Sequence, residues 1–349
     1  MVVRLSRHRL LALFCGVVAA LTVATGATAA TTSSPPTVDR SRAAAGWLAR
    51  QLVDGERFEV VFDGVAYPDQ GLTLDAVFAF AAARTADDRG AAALAWVSRP
   101  EIRDGYVGDG TTEAYAGATA KLTLAVQVRG GDPTSVNGVD LVARLRTLEA
   151  PTGRFTDRSA WGDYSNTFSQ SFAILALART PDGVPGTAAS YLAETRCADG
   201  GYPLLPEQPV CQSDVDATAL AVQALRAAGR TADAAAGVHW LVSAQATDGS
   251  FRNGTGVANA NSTGLAAQAL HVGGQPLAWL RARTYLVGLQ VGCAGGTADR
   301  GAVDYDGGAF DPGTAPRATA QAVLGLTGTG YASLTAADAS PAVPVLACW

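Results

Sequence analysis

The sequence has few residues that could hold a metal ion. It contains three histidines and five cysteines, and their spacing matches no zinc-binding pattern. It also lacks a Walker loop, a GxSxG elbow and an HExxH helix, the motifs of many nucleotide-binding, hydrolase and metalloprotease sites. We therefore expect no metal ion and no cofactor.

Basic charge is scarce as well. The chain has 26 basic and 31 acidic residues, a formal net charge of -5, and Lys121 is its only lysine. A protein that binds nucleic acid or an anionic membrane surface usually presents an excess of basic residues. We expect neither kind of partner.

The first 29 residues have the organisation of a secretory signal peptide. Three arginines precede an apolar stretch over residues 10–23, and a small-residue cleavage site follows at residues 27–29. An uncleaved anchor and a lipoprotein signal are the alternatives. Residues 30–40 are polar and proline-rich, which predicts a flexible lead-in. The mature protein is expected to be secreted, with no membrane-spanning segment.

Four cysteines follow the predicted signal peptide, an even number that is typical of disulfides in an exported protein. Three pairings of four cysteines are open. We expect Cys197 to pair with Cys211, closing one loop, and Cys293 to pair with Cys348, tying down the C-terminus.

Three sequence markers recur in phase, six times along the chain, which indicates a repeat protein. The first marker is a glycine close to an aromatic residue, at Gly55, Gly105, Gly153, Gly200, Gly249 and Gly307. The second is a threonine that opens an apolar, alanine-rich stretch, at Thr73, Thr119, Thr167, Thr218, Thr263 and Thr319. The third is an amphipathic stretch that precedes each glycine.

The apolar stretches have few β-branched residues and predict buried helices, while the amphipathic stretches predict outer helices. Six helix-loop-helix units then give twelve helices. The nearly all-apolar second helices, and chain ends that do not resemble polar caps, favour a closed ring over an open solenoid. We predict an all-α fold, an α6/α6 toroid that forms a single domain over residues 41–349 with a C-terminal tail.

The segment SAQATDGSF at Ser243–Phe251 resembles the prenyltransferase and squalene-oxidase repeat, with Phe251 where tryptophan is usual. The resemblance extends over residues 41–330. It implies the α/α toroid of terpenoid cyclases and protein prenyltransferases, a superfamily that includes cyclases, transferases and non-catalytic carriers. A shared fold leaves the choice among these functions open.

The segment SDVDATA at Ser213–Ala219 resembles the DxDDTA motif of class II terpene cyclases. The resemblance implies that Asp216 is the general acid and that Asp214 supports it. The sequence departs from the motif at Ala217, where the family has another aspartate. Alternatively, Asp216 caps a helix, because Ser, Asp or Asn stands two residues before the marker threonine in three units. We favour the capping interpretation.

Residues around the marker threonines are expected to gather at one mouth of the toroid. Aromatic and polar side chains together suit a pocket for a partly apolar ligand, unless they only plug the ring. The predicted ligand-binding residues are Tyr115, Trp161, Asp163, Tyr164, Asn259 and Arg317. Arg317 could pair with Asp214 or Asp216 across the ring or bind an anionic head group, and we favour the ion pair.

These observations favour a secreted, non-catalytic toroid that carries a small, partly apolar ligand, isoprenoid- or corrinoid-like, in its cavity. The resemblance implies an alternative, a class II terpene cyclase-like enzyme with Asp216 as its acid. A third alternative is a protein that acts on the cell wall or on polysaccharide. The sequence leaves the oligomeric state open.

Overall fold

The computed structural model describes residues 34–348, and the predicted signal peptide lies outside this range. In chain order the elements are β1 (Pro36–Thr37), α1 (Arg40–Arg50), β2 (Glu59–Phe62), β3 (Val65–Pro68), α2 (Gln70–Ala83), α3 (Asp87–Val97), α4 (Pro100–Val107), α5 (Ala116–Val128), α6 (Leu141–Arg146), α7 (Thr167–Leu177), α8 (Gly186–Glu194), β4 (Tyr202–Pro203), β5 (Ser213–Asp214), α9 (Val215–Ala227), α10 (Thr231–Ala244), α11 (Ala260–Val272), α12 (Pro276–Leu289), α13 (Ala315–Thr327) and β6 (Val345–Leu346). Within the described range no helix combines the length and the hydropathy that a bilayer crossing demands.

Six apolar helices form the inner ring of the molecule. These helices are α2, α5, α7, α9, α11 and α13; each packs against the next in chain order, and α13 packs against α2. The ring is therefore closed. Its side chains belong to one hydrophobic cluster in which alanine and leucine predominate, which confirms the predicted all-α, α6/α6 toroid.

The outer helices cover the ring and mark the six units. Five units have one outer helix each, namely α1, α6, α8, α10 and α12, and the second unit has two, α3 and α4. Helix α1 contacts both α13 and α2. The first outer helix therefore covers the joint at which the ring closes.

The sixth unit is fixed to the first through a glycine and a glutamine. Gly301 has a φ of 97°, and a Cβ at this residue would lie 2.7 Å from the carbonyl oxygen of Ala43 in α1. The side-chain amide of Gln290 donates to the carbonyls of Gly301 and Arg40, at 3.0 and 2.9 Å. Gln245 joins the fifth unit to α12 in the same way.

Two of the six glycine markers are wrong. Gly105 lies inside α4, so the second unit has no glycine loop at that place. In the sixth unit the counterpart of Gly249 is Gly301 rather than Gly307, because Gly249 and Gly301 both approach a carbonyl of the following outer helix. The aromatic residue expected after this glycine is replaced by Val303. The sequence pattern therefore did not identify Gly301 as a marker.

Four of the six marker threonines fix their inner helices to their own loops. The loop N–H groups of Phe58, Tyr202, Phe251 and Val303 donate to the hydroxyls of Thr73, Thr218, Thr263 and Thr319 at 2.8–3.0 Å. In the third unit Gln170, rather than Thr167, has this role and accepts the N–H of Phe155. The side chains that accept these N–H groups thus face the loops.

Both predicted disulfides are present, Cys197–Cys211 and Cys293–Cys348. The second joins the C-terminal tail to the loop after α12. Strand β6 in this tail pairs in parallel with β1, which places Pro36 opposite Val345. Residues 36 and 37 of the predicted lead-in therefore lie in a strand, because the tail supplies one for them to pair with.

Candidate functional site

One end of the ring is closed by the C-terminal tail. The ring of Tyr331 lies edge to face with Phe78 of α2 and Phe172 of α7, at 5.3 and 5.5 Å between centroids. The Tyr331 backbone N–H donates to Gln223 of α9 at 3.0 Å. Since α2 and α7 are not neighbours in the ring, these aromatic side chains face its axis. The tail plugs the end at which the inner helices terminate.

The opposite end, where the inner helices begin, is open to solvent. Partly exposed residues in the first half of these helices include Gly71, Gly117, Lys121, Phe168, Asp216, Asn261, Arg317 and Gln321. Each lies two residues before or after the residue that accepts the loop N–H, or at the equivalent place in α5. Two residues turn an α-helix by about 200°, so these residues face the axis. We call this end the central mouth; buried Phe172, Leu220 and Leu265 lie one turn below it.

Asp214, rather than Asp216, caps α9. The Asp214 carboxylate accepts the N–H of Ala217 at 2.8 Å. The same place, four residues before the marker threonine, is held by the caps Asp69 of α2 and Asn259 of α11. The capping interpretation of Asp216 is therefore wrong, because Asp216 lies in the first turn and faces the central mouth.

The environment of the Asp216 carboxyl favours its protonated form. Its Oδ1 is buried and has no hydrogen-bond partner within residues 34–348. Burial raises the pKa of Asp216 to about 6, while the Ser262 hydroxyl lowers it and the Asp214 carboxylate raises it. A helix N-terminus favours the ionised carboxylate, so the loss of hydration outweighs the helix field here. Near pH 6 this carboxyl can donate or accept a proton.

The basic side chains of the central mouth form an ion-pair cluster. Arg317 lies 2.7 Å from Asp69 and 3.5 Å from Asp75, and Lys121 lies 2.6 Å from Asp75. Asp75 is buried and is therefore shared by two cations. Asp69 and Asp75 of the first unit therefore largely compensate the charges of Lys121 in the second unit and Arg317 in the sixth.

The prediction that Arg317 pairs with Asp214 or Asp216 is wrong. Closure of the ring places α13 beside α2, so the guanidinium of Arg317 meets the carboxylates of α2. The side chains that act on the charge of Asp216 are Ser262 and Asp214, neither of which is basic.

Five residues of this end were not predicted from the sequence. They are Asp75, Tyr106, Lys121, Asn261 and Gln321. Burial and the charges of Asp75 and Asp69 raise the pKa of Tyr106. The side-chain oxygens of Asn261 and Gln321 are buried and unpaired within the described range. Asp75, Lys121, Asn261 and Gln321 each lie two residues before or after a marker threonine, and this position was the signal that could have identified them.

The predicted aromatic residues lie on the loops around the mouth. Trp161 and Tyr164 precede α7 and are 80% and 75% exposed. The Tyr115 hydroxyl donates to Glu113 at 3.0 Å, at the start of α5. These side chains are available at the rim rather than at the ring axis.

The remaining predicted polar residues have structural contacts. Asp163 pairs with Arg154 at 3.1 Å, and its carboxylate also accepts the N–H of Ser165. Asn259 is buried and accepts the N–H of Ser262 as the cap of α11. Of the predicted site residues, the structure brings only Asp216 and Arg317 to the axis of the central mouth.

Solved structures with this fold belong to proteins of more than one activity. A protein from Actinoplanes matches with a TM-score of 0.60 over 83% of this chain and 98% of its own, at 15% identity. The type II terpene cyclase MstE from Scytonema matches with a TM-score of 0.59 over 84% of this chain and 98% of its own, at 16% identity. An α-1,6-mannanase from Salegentibacter matches with a TM-score of 0.58 over 82% of this chain and 98% of its own, at 13% identity. No protein-family model matches the sequence, and no curated protein is significantly similar to it. In fold, the chain is an α/α toroid, like the terpene cyclase and the mannanase.

Proposed function

We propose that the protein is a secreted, non-catalytic carrier that binds a small, partly apolar ligand in its central mouth. One observation carries the proposal. Three successive inner helices each leave a buried oxygen without a hydrogen-bond partner at this end, on Asp216, Asn261 and Gln321. A buried polar atom left unpaired costs about 1–3 kcal/mol. A ligand with hydroxyl or amino groups would supply the missing donors.

The layer below these polar groups favours a ligand with an apolar part. Phe172, Leu220 and Leu265 are buried on α7, α9 and α11 and offer only carbon surface, whereas Asp75, Lys121 and Gln321 bring polar groups to the same depth on the other three helices. Apolar surface with a few polar groups beside it is the usual composition of a small-molecule site. An isoprenoid- or corrinoid-like molecule has both parts. The two disulfides fit an extracellular protein, in line with the predicted signal peptide.

Native mass spectrometry of protein purified from the medium of its own host tests carriage. We expect one species of defined mass, bound at one copy per chain. The double variant Asn261→Ala, Gln321→Ala removes two amides of the mouth and should lose this species. Gln275→Ala, an amide at the opposite end of the ring, should retain it. An empty wild-type protein, or a species kept by the double variant, would argue against carriage in the mouth.

The state of Asp216 supports a second candidate, a class II terpene cyclase-like activity. The acid of such an enzyme has to be protonated, and a pKa of about 6 leaves part of the Asp216 population protonated at neutral pH. The solved type II terpene cyclase from Scytonema matches this chain over 98% of its own length. We place this candidate second because Ala217 stands where the motif has a further aspartate.

Incubation with geranylgeranyl dihydroxybenzoate, the substrate bound in another structure of the Scytonema enzyme, separates the two candidates. Proton-initiated cyclisation leaves the mass unchanged and alters the retention time and the alkene signals. A carrier would leave the compound unreacted. Conversion by the wild type that Asp216→Asn abolishes would replace the carrier proposal with the cyclase.

A further inference from the structure

A groove of about 540 Å³ lies beside the central mouth, at the end where α9 begins. Its apolar wall consists of Pro203, Leu204, Leu205, Pro209 and Val210. Leu205 and Val210 are 49% and 78% exposed. The rest of the lining is Gln208, Gln212, Ser213, Asp214 and Gly254, so the groove offers apolar surface beside polar groups.

The wall of the groove is held in position by its own loop. Tyr202 pairs with Asp214 and Pro203 with Ser213, which fixes the base of the loop. The Cys197–Cys211 disulfide closes the same loop covalently. A ligand therefore meets a preformed wall, which reduces the entropy that binding would otherwise cost.

The α9 end of the groove is acidic. Asp214 lines this end of the groove. Its Oδ1 caps α9. Its Oδ2 lies 3.9 Å from the position that a Cβ atom on Gly254 would occupy. Asp216 is not in the lining of the groove but lies in the first turn of α9, two residues further along, and is partly exposed to the central mouth. Within the described residues neither carboxylate forms an ion pair, whereas Arg317 and Lys121 pair with Asp69 and Asp75.

The whole face around the mouth carries the same sign of charge. The six connections at this end, residues 51–69, 108–115, 147–166, 195–214, 245–259 and 290–314, contain 18 acidic and 6 basic residues. The connections at the opposite end and the tail, residues 84–86, 129–140, 178–185, 228–230, 273–275 and 328–348, contain 4 of each. An asymmetric field of this kind attracts cations to the mouth.

We propose that the groove binds the apolar tail of an amphiphile whose protonated amine lies against Asp214 and Asp216. The proposal rests on the central mouth being a ligand site, and it names the ligand class as an aliphatic amine. An ammonium group donates up to three hydrogen bonds and can serve both carboxylates. An anionic head group in the same place would face two like charges next to an apolar wall.

Titration calorimetry with three matched probes tests the head group. The probes are decylammonium, decyl glucoside and decanoate, each below its critical micelle concentration at pH 7.5. We expect decylammonium to bind at least about tenfold more tightly than decanoate, a ratio that corresponds to about 1.4 kcal/mol. This preference should shrink at high salt, because screening weakens exposed charge pairs.

Two variants locate the preference. The double variant Asp214→Asn, Asp216→Asn keeps a capping side chain at position 214 and should bind decylammonium no more tightly than decyl glucoside. Asp338→Asn, at the opposite end of the ring with a 90% exposed side chain, should behave as the wild type.

The outcomes separate this proposal from the carrier proposal. Equal affinity for the three probes, or a preference that survives in the double variant, would overturn the amine and leave carriage intact. No binding of any probe, while the host-purified protein holds a ligand, would overturn the groove as the tail site. No probe binding together with an empty host-purified protein would overturn both.

Discussion

Asp216→Asn is expected to stabilise the folded protein at neutral pH. The pKa of this carboxyl is about 6 in the folded protein against an ordinary value of 3.8. The difference between these two pKa values, at 1.36 kcal/mol per pKa unit, amounts to about 3 kcal/mol. This is the free energy by which the ionised side chain opposes folding. Asparagine has the same size without the charge. We expect the variant to recover about 1–3 kcal/mol of this, since its buried oxygen stays unpaired.

The gain depends on pH in a defined direction. Because the folded pKa is raised, the folded state binds more protons than the unfolded state between about pH 4 and pH 6. The stability of the wild type therefore falls as the pH rises through this window. Below it, Asp216 is neutral in both states, and the wild type and the variant should differ little.

Urea unfolding followed by circular dichroism, with both disulfides intact, measures the effect at pH 7.5 and pH 3.5. Asp338→Asn is the matched control, because its carboxylate is 90% exposed and its loss should change stability by under about 0.5 kcal/mol. A variant that is less stable than the wild type at pH 7.5 would refute the reasoning. It would show that the ionised carboxylate of Asp216 stabilises the fold, as a cap does.

Three further predictions test the structure around the mouth. Asp75→Asn removes the carboxylate between Lys121 and Arg317 and should lower the free energy of unfolding by about 3 kcal/mol. The control Asp182→Asn breaks an exposed ion pair and should lower it by under about 1 kcal/mol. Equal losses in the two variants would contradict the buried cluster. Gly301→Ala should lower the melting temperature more than Gly307→Ala. The Cβ at residue 301 would lie 2.7 Å from a backbone carbonyl oxygen, whereas the Cβ at residue 307 would lie 3.2 Å from a leucine methyl. The reverse order would restore Gly307 as the sixth marker. Replacing Cys293 and Cys348 by serine should cost about 4 kcal/mol, against about 3 kcal/mol for Cys197 and Cys211, because the closed segments span 55 and 14 residues; guanidinium unfolding of both variants checks the order, which a strongly structured unfolded state would invert.

Local patterns predicted the ring of helices and the disulfides. Apolar stretches at a regular interval require burial on most sides, and a closed ring is the arrangement that gives it. The ion-pair cluster depends instead on contacts between distant parts of the chain. Arg317 and Asp69 are 248 residues apart, and only closure of the ring, with α13 beside α2, determines that they meet. No local pattern carries this information.

The place two residues before the marker threonine resembles a series of helix caps in the sequence, yet in the structure it faces the ring axis. The cap stands two residues earlier still, outside the helix, where its side chain turns back to an N–H of the first turn, as Asp214 does to Ala217. Along the ring this place is occupied by Gly71 and Gly117 in the first two units and by Asp216, Asn261 and Arg317 in the last three. Six identical units would present a symmetric mouth with no preferred orientation for a bound molecule. In the first two units the polar side chains, Asp75 and Lys121, stand one turn deeper instead, so polar groups lie at different depths around the ring, which would fix the direction in which a ligand with a polar head can enter.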